Sequence, residues 1–173
     1  IRRITQAAGA AYVAVQEAAV EALERDMPEE QPGPPVQFLS VDGAFVQLIN
    51  REWKEVKTLA LGEVVPPVLE QGNPVVHTRA LSYFSRCSAS ETFVRQALVE
   101  THRRGVTEAG VVCAVTDGSR GLQGCIDSHR RAAVRILAQP HAVDYVATIV
   151  KPMWGTDTLA CPAGEDSQTT RLR

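Results

Sequence analysis

Asp42 and Asp117 are the side chains whose type and setting could do chemistry in this sequence. Asp117 follows an uninterrupted apolar run, Val111-Val112-Cys113-Ala114-Val115-Thr116, with Gly110 before it and Gly118 after. Such a run reads as a strand buried on both faces, the habit of parallel sheets. In open α/β sheets the carboxyl ends of strands face the crevice where ligands collect, so Asp117 is either a ligand-facing carboxylate or the cap of the next helix. Asp42 lies inside a second run. There Val36, Phe38, Ser40, Asp42, Ala44, Val46 and Leu48 alternate with Leu39, Val41, Phe45 and Ile49. A carboxylate in a strand apolar on both faces is costly unless it is paired or bound to a metal. The alternative is a hairpin turn at Asp42-Gly43, against which the apolar pattern continues unbroken on both sides.

The elements that must position these acids follow from periodicity. Ile1, Ile4, Ala8, Ala11, Val15, Ala18 and Ala22 recur at spacings of three and four. They predict a helix over 1–26 that leans on the domain through this stripe or pairs as a coiled coil. Residues 27–35, with four prolines, are a linker. Asn50-Arg51 is the expected turn after the first strand; Trp53 to Val65 is a second strand, and Val75 to Phe84 a third. Ser88-Ala89-Ser90-Glu91 has the spacing of a capping box, and Gly105 stops the helix it opens behind His102, Arg103 and Arg104. The strand ending at Asp117, a helix carrying Leu122 and Ile126, a short strand Val134 to Leu137, and a helix opened by His141 complete the order. Three antiparallel strands followed by alternating helices and parallel strands is an α/β order, that of the ribonuclease H-like fold. Its first and fourth strands are adjacent, which would make Asp42 and Asp117 neighbours. Two carboxylates at one sheet edge repel unless a hard cation lies between them.

The totals set bounds. The chain has 173 residues, 45% of them hydrophobic, enough for one domain with a core over 36–154. A net charge of -2 argues against binding nucleic acid by bulk charge, though not through a local basic surface such as Arg103, Arg104, Arg120, Arg130, Arg131 and Arg135 would offer. No apolar run approaches the ~20 residues of a membrane span. The expectation is a soluble, cytoplasmic protein without a membrane partner. Cys87, Cys113, Cys125 and Cys161 are too scattered for a disulfide frame and are expected as reduced, buried thiols. Cys125 and His129 have helical spacing, but no second close pair completes a zinc site. A phosphate-binding glycine loop and a serine nucleophile elbow are both missing.

The residues together resemble a known family. Ser40-Val41-Asp42-Gly43-Ala44-Phe45-Val46, then Glu52-Trp53-Lys54-Glu55-Val56-Lys57 leading into Leu59-Ala60-Leu61-Gly62-Glu63, Thr116-Asp117-Gly118, and Pro140-His141-Ala142-Val143-Asp144-Tyr145 are similar to the DDE transposases of bacterial insertion sequences. The nearest group is the ISKra type, related to the Mutator-like transposases, and the resemblance runs from Gln37 to Trp154. It implies a ribonuclease H-like catalytic domain that cuts DNA at transposon ends and joins them to a target. It further implies Mg2+ or Mn2+ held by Asp42 and Asp117, a site in the bacterial nucleoid, and a homo-oligomer among the partners. Asp42 and Asp117 match the first two acids of the catalytic triad, and His141 matches a histidine the family carries after its fifth strand. His141 would touch the scissile phosphate or a carboxylate, or serve only to open its helix.

The departures from the family are equally specific. The third acid, a glutamate expected on a later helix, has no counterpart. Glu165 and Asp166 lie in residues 155–173, an irregular tail without helical periodicity that reads as a frameshifted end. Ser119-Arg120-Gly121 stands where family members carry an acid and an aromatic residue. With Ile1 in place of an initiating methionine, the chain is expected to be a catalytically incomplete piece of a longer transposase. A remnant that keeps the fold and binds DNA or intact transposase is the other expectation.

Overall fold

The computed structural model describes residues 2–29, 31–118 and 120–154. They fall into two units divided after Ala138, each of which stands as its own body. The first unit holds helix α1 (Arg2–Arg25) and strands β1 (Val36–Gln47) and β2 (Trp53–Val64). A small hairpin, β3 (Val68–Glu70) and β4 (Asn73–Val75), comes next, followed by β5 (Thr78–Arg86), helix α2 (Ser90–Arg103), β6 (Val111–Thr116), helix α3 (Arg120–Arg130) and β7 (Val134–Leu137). Helix α4 (Gln139–Trp154) belongs to the second unit. No helix among the described residues is long and apolar enough to cross a membrane.

The main sheet is mixed, five strands in the order β5-β2-β1-β6-β7. β1 pairs antiparallel with β2 and parallel with β6; β2 pairs antiparallel with β5, and β6 parallel with β7. The two parallel crossovers, β5 to β6 through α2 and β6 to β7 through α3, step in the same direction across the sheet. Right-handed crossovers of that kind place both helices on one face. The packing agrees, with α2 against β2 and β5 and α3 against β1 and β6. Leu39 and Val41, Leu59 and Leu61, Phe84, and Val112 and Ala114 line this face; Phe93, Ala97, Leu122, Cys125 and Ile126 cover it. The Phe84 and Phe93 rings lie 5.6 Å apart, centroid to centroid. Each large side chain buried here contributes roughly 1.5–3 kcal/mol.

Several sequence expectations need correction. The stripe Ile4, Ala8, Ala11, Val15, Ala18 and Ala22 is exposed throughout and does not lean on the domain. α1 docks instead through Val20, fully buried, with Leu23 half-buried beside it. Arg95 of α2 reaches Glu24 at 2.7 Å and Glu17 at 2.9 Å, and Gln96 also donates to Glu17. A helix with apolar residues on two sides docks by the side that also carries ion-pair partners, which spacing alone does not reveal.

The capping box is absent as well. α2 starts at Ser90 with Ala89 as its N-cap and no side-chain cap. The carbonyl of Ser88 accepts a bond from Lys57 Nζ at 3.0 Å. At the other end Gly105 stops the helix as expected, with φ of 59° and its N–H donating to the His102 carbonyl at 3.0 Å. The third strand runs Thr78–Arg86, later than its expected Val75 to Phe84. The residues before it form the β3–β4 hairpin around Gln71-Gly72, at φ of 50° and 83°. Two successive residues at positive φ suit a tight two-residue hairpin turn. Among the cysteines Cys125 is buried, Cys113 half-buried and Cys87 exposed, so Cys87 departs from the buried thiol expected.

Candidate functional site

β1 and β6 pair side by side up to two residues before each aspartate. Their parallel pairing runs from Val36 opposite Val111 to Ser40 opposite Val115. Two further steps along both chains reach Asp42 and Asp117, at the carboxyl end of β6. Beyond Ser40, β1 continues to Gln47 paired with β2 alone, as a two-stranded arm that carries Asp42.

That departure from β6 corrects the expected environment of Asp42. The residue was expected inside a strand covered on both faces; it is exposed, and so are Ala44 to Gln47 beyond it. No desolvation cost demands a partner here. The Asp42 carboxylate accepts the N–H of Gly43 at 2.8 Å, which orients one of its oxygens. Nor is Asp42-Gly43 a turn, since Asp42 pairs with Thr58 and Gly43 with Lys57 in mid-strand. The turn is centred on Ile49-Asn50, one residue before the expected Asn50-Arg51, with Arg51 N–H donating to the Leu48 carbonyl at 2.9 Å and Arg51 at φ 64°.

Asp117 is half-buried at the first residue past β6. The Thr116 hydroxyl shapes its turn, accepting Gly118 N–H at 3.3 Å and Gln123 Nε2 at 3.1 Å. Thr116 also accepts Ala138 N–H at 2.9 Å through its carbonyl, tying the end of β7 to the same point. Gly118 has φ of 83°, a backbone state that glycine adopts without a steric cost. His141 is exposed near the start of α4, in the second unit, and lies outside the strand pairing that leads to the two acids.

Beneath Asp42, on the core side of β2, lies an ion pair that the sequence reading passed over. Lys57 is 5% exposed, and its Nζ contacts Glu55 Oε2 at 2.6 Å as well as the Ser88 carbonyl. The Glu55 carboxylate lies over Gly43, where a Cβ would come within 2.5 Å of Oε1. Gly43 thus leaves room for this pair at the base of the arm. The signal was present in the sequence: Glu55 and Lys57 share a strand face with Leu59 and Leu61, so the lysine had to be buried and the acid was its nearest counter-charge.

The donor set at the acids is two carboxylates. Among the described residues no group of three or more His, Cys, Asp or Glu side chains is placed to hold a metal ion. Glu165 and Asp166 lie outside the described residues. The expected basic surface is largely engaged within the chain. Arg103 is held by Glu100 at 2.7 Å, Arg104 donates to the Ala80 carbonyl at 2.8 Å, Arg130 to the Ala109 carbonyl at 2.9 Å, and Arg135 pairs with Asp127 at 2.6 Å. Arg131 is exposed.

The weaker site candidates are accounted for too. Cys125 sits in the core, where burial pushes its thiol up to about 12. His129 contacts the Thr101 hydroxyl at 3.2 Å and the Val94 carbonyl at 3.0 Å, so the two do not act as metal ligands. A cavity of about 420 Å3, lined by Pro35, Val36, Val64, Val65, Val76 and the Glu63–Arg79 ion pair, lies at the amino end of β1, away from both aspartates. Its two charged residues neutralise each other, and it brings no group to the aspartates. Comparison of the chain with protein-family models, curated proteins and solved structures finds no match.

Proposed function

We propose that this chain is part of a transposase catalytic domain with a ribonuclease H-like arrangement, which in the intact protein cuts and joins DNA through divalent cations held at Asp42 and Asp117 and which is catalytically incomplete here without a third acid among the described residues. The observation that supports it is the parallel pairing of β1 with β6 in a β5-β2-β1-β6-β7 sheet, whose last paired residues, Ser40 and Val115, each stand two residues before an aspartate. The resemblance in sequence named the same two residues independently of that pairing.

The donor set suits a hard divalent cation. Mg2+ is commonly held by one or two carboxylates with waters and substrate phosphate completing its shell, so two aspartates at an exposed edge suffice to begin a site. When bound, such ions supply charge neutralisation at a phosphodiester under attack by water or a 3′ hydroxyl. The chain's own residues contribute position. The Gly43 N–H fixes one oxygen of Asp42, and the Thr116 hydroxyl and Gly118 fix the turn that carries Asp117. His141 enters by resemblance alone, as a residue that would touch the scissile phosphate or a carboxylate, or only open its helix.

The second reading is a non-catalytic remnant that keeps the fold and binds DNA or an intact copy. It draws on one observation, that no third acid joins Asp42 and Asp117 among the described residues. Manganese separates the readings. Paramagnetic broadening of amide signals should centre on residues 41–44 and 116–118 in the parent chain and vanish in Asp42→Asn and Asp117→Asn. Broadening elsewhere, or broadening that either variant leaves intact, removes the metal site and with it the catalytic reading.

A further inference from the structure

We infer that α1 is a dimerisation element whose partner is the α1 of a second copy of this chain, running antiparallel. The side of α1 that meets its own domain carries Val20, Leu23 and the two glutamates bound by Arg95. The other side carries Ile4, Ala8, Ala11, Val15, Ala18 and Ala22 at spacings of four and three, a heptad pattern, and leaves all of them exposed. Ile4 is 74% and Val15 67% exposed. Moreover, every residue from Arg3 to Val15 is exposed, and that half of the 24-residue helix touches its own domain through the Arg86 guanidinium over the Tyr12 ring, 4.9 Å from its centroid and at a position outside the row. A helix segment of that length is marginal in water by itself, because most helical stability comes from a packed face.

Three features select a second copy in the antiparallel sense. The row is symmetric about residue 13, with Ile4 opposite Ala22, Ala8 opposite Ala18, and Ala11 opposite Val15. The same surface therefore serves both copies across a two-fold axis, as an isologous interface requires. Each large residue meets a small one in this register, Ile4 with Ala22 and Val15 with Ala11, so the helices can approach closely. The helix is also charged unequally along its length, Arg2 and Arg3 at one end and Glu21 near the other, where Glu24 is already paired with Arg95 and Arg25 is offset by Asp26. Antiparallel pairing sets each basic end beside the partner's acidic end and opposes the helix dipoles, whereas parallel pairing would stack like charges. The helix is about 36 Å long, so the seam runs along the full row.

Sedimentation velocity of the whole chain over a concentration series tests this. The expected result is a concentration-dependent dimer. Ile4→Glu with Val15→Glu should abolish it while leaving the far-ultraviolet circular dichroism of the domain intact, because neither residue touches the domain core. Arg3→Glu and Glu21→Arg should each weaken the dimer about tenfold, worth about 1.4 kcal/mol, and the two together in one chain should restore it. Orientation is read by disulfide trapping, in which Ala8→Cys mixed with Ala18→Cys should cross-link and Ala8→Cys alone should not. A chain that stays monomeric at every concentration, a dimer indifferent to Ile4→Glu with Val15→Glu, or efficient self-cross-linking of Ala8→Cys would each overturn the proposal. None of these outcomes depends on DNA or metal binding, so the proposal and the transposase reading can fail separately.

Discussion

Gly118 takes φ of 83° directly after Asp117, and this backbone state holds the aspartate's turn against Thr116. A side chain there meets the left-handed penalty of roughly 1–2 kcal/mol. Gly118→Ala should therefore lower stability in urea by about that amount and weaken manganese broadening near Asp117, while broadening near Asp42 persists. The Lys57–Glu55 pair permits a sharper comparison. Removing the carboxylate leaves a buried ammonium without its counter-ion, so Glu55→Ala should cost about 2 kcal/mol, discounted from the full buried-pair value because Glu55 is one-third exposed. Lys57→Met instead removes the buried charge and keeps its volume, so it should cost less than Glu55→Ala does. Urea denaturation of the two variants decides this, and the reverse order would mean that the pair is not what holds Lys57 inside. The candidate acids were legible because each sits where an apolar run meets glycine. The exposure of Asp42 was not legible, because a sequence does not say where one strand outruns its neighbour.

At the level of elements, sequence periodicity found every strand of the main sheet and every helix, and missed how α1 docks. Ion pairs settle that docking. The Glu17 carboxyl is held below its ordinary value, chiefly by the hydrogen bond from Gln96 and then by Arg95. A carboxylate lowered in the folded state stabilises fully above its unfolded pKa and loses that contribution as pH falls through the folded one. The α1–α2 contact should therefore loosen on acidification below the ordinary carboxylate range, at about pH 4, ahead of the sheet. Hydrogen exchange measured by mass spectrometry should show α1 amides losing protection first. In Arg95→Met with Gln96→Leu the acid dependence of α1 protection should be much reduced. The β3–β4 hairpin escaped the sequence reading for a related reason. Pro66-Pro67 and Gln71-Gly72-Asn73-Pro74 both signal turns, and a three-residue strand between two turns is too short to show alternation.

For the molecule as a whole, the order of elements carried more information than any motif. Strands in the sequence β-β-β, then α-β-α-β, leave few right-handed, uncrossed arrangements, and β5-β2-β1-β6-β7 is one of them. The same order determines which edges stay open. β7 forms one edge of the sheet, and all four of its residues are exposed, with Val134 at 52% and Ile136 at 43%. A short, apolar, exposed edge presents free backbone groups to any other strand, which is a route to edge-to-edge association. A lysine on such an edge blocks this pairing at little cost to the fold, because Ile136 is 43% exposed and a lysine stem can cover the same apolar surface with its ammonium in water. Ile136→Lys should shift the melting temperature by less than about 2 °C, the change expected for a surface substitution of about 0.5 kcal/mol in a chain of this size. It should also raise the temperature at which light scattering appears. If scattering begins at the same temperature as in the parent chain, association proceeds through another surface, and the exposed apolar row of α1 becomes the one to substitute next.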